Sequence, residues 1–129
     1  MKLEFSWGAS PAGPMAICTS DVSDSNGVSP LSCLLMDDGG LDRSTSLAWL
    51  REGINRVDAV LAGDTKAHTN WDREAWGAAL MESETNVYSL HDEQCAEKLP
   101  TSKFRRALAE WVNFVEAGSD RSSVIVDLS

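Results

Sequence analysis

Strict alternation opens this chain. Leu3, Phe5 and Trp7 occupy every second position of residues 2–7, KLEFSW, which puts three large apolar side chains on one face of a half-buried strand. The turn-rich GASPAGP of residues 8–14 breaks it, and a second strand is expected at about Met15–Thr19. Residues 20–30, SDVSDSNGVSP, are polar and read as an exposed loop. The short apolar run LSCLLMD, from Leu31 to about Met36, stops at DDGG and is expected to be a third strand of an antiparallel meander.

The period then changes. Leu47, Leu50, Ile54, Val57 and Leu61 recur at steps of three and four, which makes one apolar stripe on a helix. Asp42 or Ser44 is placed to cap its start, and Gly63 to end it in a left-handed conformation. Gly53 lies inside this helix, where it lowers the intrinsic propensity and marks a close approach to the sheet. After a polar connection, EAWGAALMES and TNVYSLHD form a strand hairpin turning near Glu82–Thr85, with Trp76, Ala78 and Leu80 sharing one face and Val87 opening the second alternation. Pro100 with Thr101 or Ser102 starts a second helix, striped by Phe104, Leu108, Trp111, Val112 and Val115 and ended by Gly118. The tail SSVIVDLS, within residues 119–129, suits an edge strand or an ordered arm. The expected architecture is α+β: a single domain over residues 1–129, with one antiparallel sheet of about five strands and two helices packed on one face.

Composition supports a packed core and little else. The 129 residues are 43% apolar and 24% charged, with five tryptophans, ordinary globular usage that needs no covalent staples. No run approaches the roughly 20 apolar residues of a membrane span, and MKLEFSWGAS has no apolar signal core, so a cytoplasmic location is expected. Cys18, Cys33 and Cys95 are odd in number and widely spaced, which suits reduced, mostly buried thiols better than a disulfide framework or a zinc site.

Charge changes the picture. The net charge is −9, from 20 acids against 11 bases. Between Lys2 and Arg43 every charged residue is acidic: Glu4, Asp21, Asp24, Asp37, Asp38 and Asp42. The same holds between Arg73 and Lys98, with Glu74, Glu82, Glu84, Asp92, Glu93 and Glu97. The helices instead mix signs. Nucleic acid and anionic membranes are therefore not expected partners, because both demand lysine and arginine. A basic macromolecule is expected, drawn in by a field of one sign. Acids alone give fast rather than tight binding, so an aromatic anchor should accompany them, and Trp71, between Asn70 and Asp72, is the leading candidate, a partly buried core tryptophan being the other reading of that residue. The expected contact residues are Asp37, Asp38, Trp71, Asp72, Glu74, Glu82, Glu84, Asp92 and Glu93.

Catalytic chemistry finds no pattern to rest on. DVSDSNG aligned as a calcium loop puts Val22 where the first carboxylate belongs and Cys33 where the bidentate glutamate belongs, so an Asx-rich turn is the better reading. His91 and Cys95 are four apart but leave a strand, without a second ligand pair, and His68 has no evident partner. No G-x-S-x-G elbow or phosphate-cradling glycine loop occurs. Asp37–Asp38 has no apolar surroundings to raise a pKa and reads as a strand-end turn. No enzyme, metal or cofactor is expected.

The order of a helix ending VLAG, a polar link with an aromatic, a strand opening EAWG, an acid-studded hairpin and then LPTSKFRRALAEWVNFVEAG resembles small acidic immunity proteins of bacterial toxin systems, especially those of contact-dependent growth inhibition. The likeness spans about residues 42–118. It implies a cytoplasmic protein that neutralises the C-terminal domain of a toxin by binding it, without catalysis. Such toxin domains are often nucleases with basic surfaces, so the implied partner is an RNase or tRNase domain held 1:1. An acidic adaptor or subunit, whose charge serves solubility alone, is the alternative.

Overall fold

The computed structural model describes residues 1–64, 69–120 and 122–129. His68 and the three residues before it lie outside the described residues. The elements are strands β1 (Lys2–Ser10) and β2 (Gly13–Ser20), helices α1 (Pro30–Met36) and α2 (Arg43–Leu61), strands β3 (Asn70–Asp72), β4 (Trp76–Leu80), β5 (Glu84–Ser89) and β6 (Ala96–Pro100), helix α3 (Thr101–Ala117) and strand β7 (Val124–Asp127).

Two corrections to the expected architecture follow. There are two antiparallel sheets, not one: three strands in the order β2-β1-β7, and four in the order β3-β4-β5-β6. There are also three helices rather than two, because the run read as a third strand is α1. Ser29 caps α1, its hydroxyl accepting from the Ser32 amide at 3.2 Å, and Pro30 occupies the first turn. Leu31, Leu34 and Leu35 are fully buried, a spacing of three and four that only a helix brings to one side.

Strand β3, inside the segment read as a polar connection, and strand β6 were not expected; the other elements stand where expected, the first two strands being longer. β1 and β2 pair from Leu3↔Ser20 to Ser10↔Gly13, leaving only Pro11 and Ala12 in the turn, and Leu3 and Phe5 are buried as the alternation requires. The tail resolves into an edge strand, with Lys2↔Asp127 to Phe5↔Val124 in register and Val126 and Leu128 buried. Asp42 caps α2 by accepting from Thr45 at 2.7 Å, and Gly63 has φ of +77° just past its end. Of the α2 stripe, Leu47, Leu50 and Val57 are buried while Ile54 and Leu61 pack partly buried against the core.

Helices α2 and α3 run antiparallel, since Arg51 pairs with Glu116 and Arg105 with Asp58. Phe5 meets Trp111 edge-on at 5.0 Å and Phe114 at 5.6 Å, joining α3 to the first sheet. Thr101 joins α3 to the second sheet, exchanging a 2.8 Å hydrogen bond with Thr85 and donating to the Met81 carbonyl. At α1, Cys18 donates to Ser32 at 3.4 Å from the first sheet, and Glu97 accepts from the Leu31 amide at 3.1 Å from the second. One apolar cluster therefore runs between both sheets. Burial pushes the Cys18 thiol up to about 11, so it stays protonated and unreactive. No helix among the described residues is long and apolar enough to cross a membrane.

Glu97 carries a pH prediction. Its carboxylate is half-buried, with Oε1 on the Leu31 amide and Oε2 without a partner among the described residues, and burial raises its pKa above the ordinary 4.5. Because the folded value is raised, its contribution is fully present below about 4.5 and is lost as pH rises through the raised value. Glu97→Gln, which keeps the acceptor, should raise the thermal midpoint at pH 7, and the gain should vanish at pH 4 in parallel scans.

Candidate functional site: an acidic face built over a buried arginine

The site begins with the shortest strand. β3 is only Asn70–Asp72, and its alternation turns Trp71 inward, 1% exposed, while Asn70 and Asp72 face solvent. The same period carries Arg73 beneath the surface, 4% exposed. Its guanidinium carbon lies 4.8 Å from the ring centre of Trp49 on α2 and 5.5 Å from that of Trp71. Such stacking offsets part of the desolvation cost of a buried cation. Nε donates to the Asp37 carbonyl at 2.5 Å, while Nη1 and Nη2 are buried without a partner among the described residues. Burial lowers the Arg73 pKa to about 10, against the opposing pull of Asp37 and Asp38; the group is still cationic at neutral pH.

Asp37 is consumed by this construction. Its Oδ2 accepts from the amides of Ala75 at 2.7 Å and Trp76 at 3.0 Å, so the carboxylate ties the end of α1 to the start of β4. Trp49 adds a third tie, its Nε1 donating to the Asp72 carbonyl at 3.2 Å. Together they hold Asp38, Asp72 and Glu74, all exposed, on one rigid rim. Glu74 leans over the turn after α1, close enough that a side chain at Gly39 would stand 3.5 Å from its Cβ.

The neighbouring loops extend this rim. Asp24 accepts from the amides of Asn26 at 2.8 Å and Val28 at 2.9 Å, an Asx turn, and takes a weak 3.8 Å bond from the Cys95 thiol. Burial, then the charges of Asp24 and Asp92, raise the Cys95 pKa. Burial, then Asp72 and Glu93, raise that of Tyr88. The Leu90 amide donates to the Ala75 carbonyl at 2.9 Å and the Cys95 thiol reaches Asp24, so residues 24–28, 72–75 and 90–95 converge. The face thus gathers Asp24, Asp38, Asp72, Glu74, Asp92 and Glu93.

Four expected contact residues do not belong to it, Asp37 being one, since its carboxylate is taken up by the Ala75 and Trp76 amides. Trp71 is a core residue, packed against Gly53, and offers no exposed anchor. Glu82 and Glu84 stand at the other end of the hairpin, roughly 17 Å away along a strand that rises ~3.3 Å per residue. Of the other acids, Glu4 lies on β1 and Asp21 just past the end of β2, where it accepts from the Lys2 amide at 2.8 Å. The ion pairs among the described residues are Arg51–Glu116, Arg56–Glu52 and Arg105–Asp58, all drawn from helix acids. None of the twelve acids of the two base-free stretches takes part.

The buried Arg73 is the residue that sequence reasoning missed. Its signal was the two-residue step from Trp71, which puts both on one side of a strand. No protein-family model matches the chain, and comparisons with curated proteins and with solved structures return no match.

Proposed function

We propose that this protein is a non-catalytic, immunity-type inhibitor that binds a basic nuclease toxin domain, 1:1 and in the cytoplasm, across the face of Asp24, Asp38, Asp72, Glu74, Asp92 and Glu93. The observation that carries the reading is the exposure of these acids on and beside a rim fixed by Arg73 and Asp37, while Arg51, Arg56 and Arg105 of α2 and α3 pair with other acids. Grouped like charges repel one another in the free protein, and a cationic surface relieves that repulsion on contact. A nuclease groove that holds phosphates is such a surface, and carboxylates are suited to occupy it. The sequence resemblance to toxin-immunity proteins points the same way.

The test is co-expression with the product of the adjacent gene, followed by purification at low salt. A 1:1 complex should form, and its affinity should fall about tenfold or more as salt shortens the screening length from ~10 Å at 0.1 M to ~3 Å at 1 M. A complex indifferent to salt would remove charge from the mechanism. Recovery of the chain alone would remove the toxin partner.

A further inference from the structure

We propose that a groove beside the acidic face seats an amphipathic, lysine- or arginine-bearing segment of the partner, with its apolar side chains inside. This inference rests on the cationic partner proposed above and adds where its apolar anchors go. The groove encloses about 510 Å³ between the β1–β2 hairpin, the end of α1, the turn that follows it, the first half of α2 and α3, a size usual for a site that holds a few buried side chains. Leu35, Leu50 and Trp111 form its buried floor. Met15, Met36 and Leu41 stand on its walls with 50%, 36% and 42% of their surface exposed. These are large apolar side chains left in water at one place, and two are methionines, whose unbranched chains adapt to varied occupants.

Trp7 completes the wall. It stacks on Phe114 at 5.5 Å and is half-buried on the lining.

Charge selects the occupant. Asp38 belongs both to the groove and to the acidic rim, and Glu74 adjoins it across Gly39. Arg43, the base on the lining, reaches toward Gly118 at the end of α3. A segment with apolar anchors and flanking cations therefore matches both surfaces at once, the helix-in-groove mode of recognition.

The probe is a labelled peptide of about 14 residues, built from leucine and lysine at amphipathic helical spacing, with a leucine–glutamate counterpart. Fluorescence anisotropy with the full chain should show the lysine peptide binding at least tenfold tighter. The deciding variant is Met15→Glu with Leu41→Glu, both exposed positions. It adds two negative charges, so mere attraction would strengthen binding, whereas seating in the groove predicts at least a tenfold loss. Binding that is unchanged or tighter in the variant overturns the groove while leaving a cationic partner standing. Equal binding of both peptides, each lost in the variant, keeps the groove but overturns the cationic occupant. A concentration-dependent dimer in sedimentation that the variant abolishes assigns the groove to a second copy and overturns the proposal.

Discussion

Trp71→Ala is expected to lower unfolding stability by about 3–5 kcal/mol, the range for removing a buried tryptophan. That is a large share of the ~5–15 kcal/mol typical of a domain, and urea denaturation would measure it. The cost has two parts. The indole fills the space between β3 and α2, and it is one of the two rings against Arg73. Its removal leaves a cavity and takes a partner from a buried cation.

The same contact explains Gly53. At an exposed helix position, alanine for glycine gains about 1 kcal/mol. Here a Cβ would stand 2.6 Å from ring atoms of Trp71, so Gly53→Ala should instead destabilise by about 1–3 kcal/mol through overpacking. With alanine at position 71, Gly53→Ala should become neutral or stabilising. A double-mutant cycle with coupling below about 0.5 kcal/mol would show that the two residues do not meet.

Reversing Asp72, Glu74 and Glu93 to lysine should slow association with a basic partner by about tenfold to a hundredfold at low salt, toward the ~10⁵–10⁶ M⁻¹s⁻¹ of unsteered encounters. Each exchange shifts the charge by two, so the net charge of −9 becomes −3. All three side chains are exposed and stand outside the Arg73–Asp37 framework, so folding stability should change by no more than about 0.5 kcal/mol per site. Stopped-flow mixing at two salt concentrations would measure the rates. Reversal of Glu82 and Glu84, at the far end of the hairpin, takes the net charge of −9 to −5; it is the control and should slow association much less per charge reversed. If both sets slowed it equally per charge reversed, net charge rather than the assembled face would be responsible.

Arg73 shows why these acids are usable. A framework that fixes a charged rim before binding removes part of the ordering cost of association. The three-residue strand, too short to hold itself, is held by Arg73, Asp37 and Trp49, contributed by three different elements. Nearby in sequence, Arg73 looks like a surface base between two acids. In space it is the cation beneath them.

What the sequence by itself determined is what one element can report about its own surroundings. The steps of three and four through Leu47, Leu50 and Val57 required α2, those through Phe104, Leu108 and Trp111 required α3, and the alternation of Leu3 and Phe5 required β1. The base-free stretches were legible too, because composition needs no fold. Tertiary structure alone decided the rest. The seven residues of α1 are a short apolar run that either a strand or a helix can bury, and the caps at Ser29 and Pro30 act together with packing against both sheets. The division into two sheets depends on β7 pairing with β1 from the opposite end of the chain, a contact without any local signature. The acidic face, the buried Arg73 and the methionine-lined groove are likewise products of long-range packing, which places residues far apart in sequence within a few ångströms of one another.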